Sequence, residues 1–466
     1  MSPGGRSDYG ENMTDATTLV ILGAGGDLTS RLLLPALGQL LTREPARSVR
    51  IVGADREQWT DAELESVVRT AFGSMDAEDA AARVEVSYVR TDITQADELR
   101  SLLGGLSGQV AVYFAVPPAV AAACIATLTP DMLPAGAMLV MEKPFGTDEE
   151  SARELNRVLT ALVPESQVFR VDHFLGRSTT LNLLGARFAN RILEPLWSAE
   201  SIESIDIVYD ESLALEGRAG YYDRAGALVD MIQSHLLQVL AVLAMEEPAT
   251  LDEIDFRAAT GAVLRATRVW GDDPAASSRR ARYIAGQVDG TAKPSYVDEP
   301  GVDPGRQTET LADATFEVRN ARWAGVPFRL RSGKALGTPA REIVVHFRRV
   351  RHLPRGLTGT SDGAVLRFSL GPDRMSLELN LNASEDPLEL ERATLSAELG
   401  EGALKAYAEV LSGVLDGDPM LAVRGDAAEQ SWRIVAPILE AWRRDEVPLE
   451  DYVAGSSGPE TWPVLA

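Results

Sequence analysis

Residues 17–41 read TTLVILGAGGDLTSRLLLPALGQLL, and this stretch constrains the fold more than any other. A short apolar run (19–22) ends in a glycine cluster. Asp27 then opens a segment in which Leu28, Leu32, Pro35 and Leu40 recur at helical spacing. The pattern predicts a strand, a tight glycine turn and a helix whose N-terminus points back into the turn. Free backbone N–H groups and the helix dipole make such a turn a site for a pyrophosphate. Further strands are predicted at 50–54, 84–90, 110–114, 138–142 and 168–171, with helical intervals between them. Strands alternating with helices over some 150 residues imply α/β architecture: a Rossmann-like, doubly wound parallel sheet with helices on both faces.

At 466 residues the chain is too long for one ordinary domain. The longest apolar runs, 19–22 and 236–245, fall short of the roughly 20 residues a membrane helix needs. Residues 1–15 are polar and carry no signal-peptide core, so they are expected to form a disordered tail on a cytoplasmic protein. One cysteine, Cys124, excludes a disulfide framework and a cysteine metal cluster, and reads as a small buried apolar residue. With only four histidines a His-rich metal site is not expected either. The net charge of −24, with no basic stretch against it, argues against nucleic acid as a partner.

The end of the second strand bears on cofactor choice. Asp55 there suits a ribose 2′-hydroxyl and so NAD, while Arg56 suits a 2′-phosphate and so NADP. Both readings stand on the sequence.

Several strings, in order, resemble the glucose-6-phosphate dehydrogenase family. They are GAGGDL (23–28), EKPFG (142–146), RVDHFLGR (170–177), and GRAGYYDRAGALVDMIQSHLLQVLAVLAMEEP (217–248). EPGV (299–302), TET (308–310), RWAGVPFRLRSGKAL (322–336) and YVAGSSGP (452–459) extend the likeness over residues 17–459. The resemblance implies a dinucleotide-binding domain over 16–175. Over 176–466 it implies an α+β substrate and oligomerisation domain on a large, mostly antiparallel sheet, assembling as a homodimer or homotetramer. Alternation in 341–349 and 364–370 is compatible with that sheet, and the polar stretch 271–305 reads as a surface excursion.

Oxidising a sugar at its anomeric carbon requires a base for the hydroxyl proton while hydride leaves to a nicotinamide, NADP or NAD. Histidine suits this when a carboxylate fixes its tautomer and supports the imidazolium. By resemblance His235 is that base, Asp172 its partner, and Lys143 contacts both sugar and cofactor. Asp230 is nearer in sequence, but five residues along an α-helix turn it about 140° away from His235. The resemblance makes His173 a phosphate ligand, with Arg177 and Lys334 adding positive charge, and gives Glu211 and Asp230 the substrate hydroxyls. It assigns the cofactor to Gly23, Gly25, Gly26, Asp27, Leu28, Asp55, Arg56, Pro117 and Lys143, and implies no metal.

The sequence departs from the family pattern where substrate is gripped. Phe174 stands for the signature tyrosine, Arg177 for its lysine, Leu32 for a lysine early in the first helix, and Pro339 for a basic residue, with Arg341 nearby. Gly25 replaces a hydroxyl residue in the cofactor turn, and Ser234 an asparagine beside His235. These changes open two alternatives: the same chemistry on another sugar or sugar derivative in specialised metabolism, or a non-catalytic cofactor-binding homologue.

Overall fold

Strands β1 (Thr17–Leu22), β4 (Val110–Phe114), β5 (Met138–Met141) and β6 (Val168–Val171) are buried along their whole length. Strands covered on both faces have no solvent side to mark with polar residues, so apolar residues dominate them; the buried Arg170 within β6 is paired with Glu165. With β2 (Val49–Asp55) and β3 (Glu85–Arg90) they pair in parallel in the order β6-β5-β4-β1-β2-β3. The chain winds outward from β1 to β3, then restarts at β4 on the other side. The switch therefore falls between β1 and β4, at whose carboxyl ends open α/β sheets bind ligands.

The computed structural model describes residues 16–400 and 402–462, so the expected tail over 1–15 lies outside them. The described chain divides into two compact units. The first takes in the residues up to Phe145, then Glu154–Val171 and Tyr407–Ala422. Its core includes Val20, Leu22, Val112, Phe114, Leu139 and Cys124. Burial alone pushes the Cys124 thiol up to about 12, so it is an inert core residue.

The first helix corrects one detail. Its buried face is Leu33, Leu34, Leu37, Leu40 and Leu41, while Leu32 is 46% exposed. The segment opens as a π-helical turn, Thr29–Leu33, before settling into the α-helix Leu34–Arg43, and the wider turn shifts the phase.

The second unit takes in Gly146–Arg153, the described residues between Asp172 and Ala406 and those from Val423 on, and is built on an eleven-stranded sheet. Most pairings are antiparallel. Near the middle, β7 (Ile202–Asp210) pairs antiparallel with Arg341–Phe347 on one side and parallel with Phe328–Gly333 on the other. The parallel pair sets Asp210 opposite Gly333, so the next residues of both strands emerge side by side. Val365–Leu370 shows the period-two burial of a half-covered strand.

The stretch 271–305 is more than a surface excursion. Ser278–Ile284 is a strand of the large sheet, with Ala281 and Tyr283 buried. Its sequence, SRRARYI, hides this because Arg280 is itself buried, donating to the Val447 carbonyl (3.0 Å) and to Asp445 (3.1 Å). The helical run Ala219–Ala244 is long and apolar enough to cross a membrane, but 89% of its most apolar window is buried within the chain. It is a core helix of this unit.

Candidate active site

In the first unit β1 delivers Gly23 into the turn with φ +93°. A Cβ there would stand 2.5 Å from the Ala115 carbonyl oxygen and 2.7 Å from Val116 Cγ1, so only glycine fits. The Gly23 N–H donates to the Ala54 carbonyl (2.8 Å), Gly26 N–H to the Gly23 carbonyl (3.0 Å), and Thr29 Oγ1 to that same carbonyl (3.0 Å). These bonds hold the turn against the start of the helix, where the first N–H groups lack intrahelical acceptors. A cradle that any side chain would fill, closed by a helix N-terminus, fits a dinucleotide pyrophosphate.

Leu28 lies in the first turn of this helix, and the exposed Asp27 carboxylate pairs with Arg31 at 3.2 Å. Pro117 follows β4 and caps the helix Pro118–Thr127, which sets it at the same sheet edge as the glycine turn. Lys143 follows β5 through a cis bond to Pro144. The preceding Glu142 accepts hydrogen bonds from the Tyr113 and Tyr407 hydroxyls.

At the end of β2, Asp55 Oδ2 accepts the Gly25 N–H at 3.1 Å. Arg56 is turned to Asp92, with Nη2 2.9 Å from Oδ1. The Thr94 hydroxyl and N–H, followed by Arg56, hold the Asp92 carboxyl down at about 2.

In the second unit, Asp172 and His173 come directly after β6, and His235 comes from the segment Leu228–Leu236. His235 Nδ1 lies 2.5 Å from Asp172 Oδ1, and both residues are almost fully buried. The same oxygen accepts the Phe174 N–H at 2.9 Å. The Phe174 ring stacks on His235 at 4.4 Å and 17°, so the imidazole is fixed by a hydrogen bond at one edge and a ring on one face. His173 meets His235 edge-on at 4.9 Å. Donor atoms of Asp172, His173 and His235 lie within 4.8 Å of one another, but two of the three already bond each other. A carboxylate on one ring nitrogen is an arrangement that fixes an imidazole's tautomer and orientation.

On an α-helix Asp230 would point away from His235. Leu228–Leu236 is instead π-helical, following a kink at Gly226 (φ 65°, ψ 176°). In a π-helix five residues span roughly one turn, so the angular objection fails, although the histidine's bonded carboxylate is Asp172. Asp230 is buried. It accepts a hydrogen bond from Tyr221, whose phenol is raised well above its ordinary range by burial and then by this carboxylate. Ser234 Oγ donates to the Asp230 carbonyl.

The parallel pairing of β7 with Phe328–Gly333 brings Glu211 and Lys334 together. Lys334 Nζ stands 2.6 Å from Glu211 Oε2 and over the Tyr222 ring at 5.1 Å. Arg177 is held by the fold. Its Nη1 donates to the Leu370 carbonyl and Nη2 to the Tyr209 hydroxyl, each at 3.0 Å, with Cζ 4.2 Å from the Phe174 ring centroid. Arg341 lies 5.1 Å from the Tyr209 centroid, as does Arg177, whereas Pro339 is exposed. Sequence reasoning passed over Tyr209, Tyr221 and Glu57. Glu57 carried one usable signal: it is the third of a run of charged residues, Asp55-Arg56-Glu57, at the end of β2.

Two family models together match most of the chain: "Glucose-6-phosphate dehydrogenase, NAD binding domain" over residues 20–182 and "Glucose-6-phosphate dehydrogenase, C-terminal domain" over 184–466. A glucose-6-phosphate 1-dehydrogenase of Gluconobacter oxydans is 39% identical over 467 residues, covering 95% of this chain and 94% of its own. That of Treponema pallidum is 35% identical, covering 95% and 92%. Among solved structures, glucose-6-phosphate 1-dehydrogenase from Mycobacterium avium superposes with a TM-score of 0.83 at 32% identity, covering 96% of this chain and 95% of its own. A glucose-6-phosphate dehydrogenase in complex with its substrate glucose-6-phosphate gives 0.84 at 29% identity, covering 97% of both chains.

Proposed function

The chain belongs to the glucose-6-phosphate dehydrogenase family, and from that premise we infer that it oxidises the C1 hydroxyl of glucose 6-phosphate to the lactone, with NADP or NAD as hydride acceptor. The observation that carries the reading is the buried 2.5 Å bond between His235 and Asp172. With Nδ1 held on the carboxylate, Nε2 is assigned to take the hydroxyl proton, while Asp172 supports the imidazolium. Bound NAD(P)+ supplies the hydride acceptor. Gly23, Gly25, Gly26, Asp27, Leu28, Asp55, Arg56 and Pro117 are the residues assigned to hold it, the glycine cradle and the helix N-terminus being their support.

We assign Lys143 to orient the C1 hydroxyl and the cofactor. His173 and Arg177 are assigned to the phosphate, with Lys334 adding charge, and Glu211 and Asp230 to the sugar hydroxyls. The working division is a cofactor domain over 16–175 and a substrate domain over 176–466, in a cytoplasmic homodimer or homotetramer. Exposed leucines on and beside the outer strands of the large sheet, Leu381, Leu388 and Leu395, support assembly through that sheet.

The test is initial-rate cofactor reduction at the nicotinamide absorbance, with glucose 6-phosphate and with glucose, each with NAD and NADP. Efficient turnover of the phosphosugar alone is expected. A folded, cofactor-binding protein that fails to turn it over overturns the reading.

A further inference from the structure

The end of β2 and the loop after it bring two carboxylates against the glycine turn. The Gly25 N–H donates to Asp55 Oδ2 at 3.1 Å. A Cβ built at Gly25 would meet Glu57 Oε2 at 3.2 Å and Asp55 Oδ2 at 3.3 Å. The two acids therefore close on one spot, and a glycine there lets them do so. Tyr88 packs beneath them, its hydroxyl donating to the Glu57 carbonyl at 2.8 Å. Its phenol is pushed up to about 12 by burial first, then by Asp55 and Glu57.

The nearby cations are otherwise engaged. Arg56 pairs with Asp92 at 2.9 Å, Arg31 pairs with Asp27 at 3.2 Å, and Arg90 Nε donates to the Arg56 carbonyl at 3.1 Å. In a dinucleotide fold the end of the second strand faces the adenosine ribose. A ribose diol offers two hydroxyl donors, which carboxylates accept, whereas a 2′-phosphate brings negative charge and needs a cationic fork.

We propose that Asp55 and Glu57 select NAD over NADP in this chain, with Arg56 withheld from a 2′-phosphate by Asp92. The proposal rests on the dehydrogenase reading given above and resolves its open cofactor preference. It narrows the two sequence readings of the strand end to one: the acid faces the ribose and the arginine is turned away.

Two measurements test it. Titration of the substrate-free protein with NADH and with NADPH, followed by nicotinamide fluorescence, gives the ratio of dissociation constants without any turnover. Initial rates with glucose 6-phosphate give kcat/KM for NAD and for NADP. The expected result is a preference for the unphosphorylated dinucleotide of about tenfold or more in both, since like charges at a recognition site discriminate strongly even after screening. The double variant Asp55→Asn/Glu57→Gln is expected to erase most of that ratio. Asp92→Asn, which releases Arg56, is expected to raise NADP use while leaving NAD nearly unchanged. Equal or tighter binding of NADPH by the unmodified protein overturns the proposal. Tighter NADH binding without turnover of glucose 6-phosphate upholds it and sinks the dehydrogenase reading instead.

Discussion

Asp172 and His235 stand 63 positions apart in the chain and meet through a 2.5 Å hydrogen bond between buried side chains. Phe174 ties the pair together twice, by its N–H to the carboxylate and by its ring on the imidazole. Removing the negative charge while keeping the shape changes which nitrogen of His235 carries the proton. Asp172→Asn is therefore expected to lower kcat about 10³–10⁴-fold with little change in KM. His235→Asn should lose as much, and the double variant no more than either single one, because the pair acts as a unit. Steady-state kinetics check this, and an Asp172→Asn enzyme within tenfold of the parent kcat would be incompatible with the assigned base.

Glu211 and Lys334 meet at 2.6 Å, with side chains only 18% and 8% exposed. Deleting one partner strands the other charge in a poorly solvated place. Lys334→Met and Glu211→Leu are each expected to cost about 3 kcal/mol of stability, and the double variant clearly less than their sum. Denaturant midpoints of the four proteins measure the coupling. Strict additivity would mean that the pair is held apart in solution.

Gly23 combines a positive φ of +93° with a Cβ position only 2.5 Å from a backbone oxygen. Backbone cannot yield as a flexible side chain can, so Gly23→Ala must move β1 away from the residues that follow β4. The expected outcome is loss of dinucleotide binding together with a stability loss of a few kcal/mol. Thermal shift with and without NAD separates the two effects: the variant should melt lower and gain nothing from the ligand.

The parallel sheet was legible because its central strands are buried on both faces and so carry uninterrupted apolar runs, β1 and β4 most clearly. The partnership of Asp172 with His235 was reachable only through motif resemblance, since nothing local connects two residues on separate elements. Two features were hidden for physical reasons. Ser278–Ile284 presents arginines where a strand reader looks for apolar residues, yet Arg280 is buried because its hydrogen bonds are met. The π-helical turns at Thr29–Leu33 and Leu228–Leu236 break the 3.6-residue period that would set the faces of Leu32 and Asp230. An acid in a polar loop carries no periodic signal, so beyond the run of charges Asp55-Arg56-Glu57 it is the approach of the Glu57 carboxylate to Gly25 that marks it.

Glu309 offers a prediction that depends on pH. Its carboxyl is fully buried, accepts the Leu228 N–H at 3.0 Å, and sits where any Cβ on Gly226 would strike it at 2.3 Å. It thus holds the kink from which the π-helix bearing Asp230 and His235 starts. Burial is the dominant influence and raises its pKa from 4.5 to about 7, against the backbone hydrogen bonds that lower it. The folded state therefore binds this proton more tightly than the unfolded chain. Below about pH 4.5 both states are protonated and the group is neutral in the balance. As pH climbs from there to 7 the unfolded chain ionises first, so folding stability falls, and above 7 the full penalty is in place. Glu309→Gln keeps an oxygen for the Leu228 N–H but cannot ionise. Its melting temperature relative to the parent should rise between about pH 5 and pH 8, corresponding to a change on the order of 3 kcal/mol. A melting-temperature difference that stays flat across that range would show that Glu309 is not ionised at the cost its burial implies.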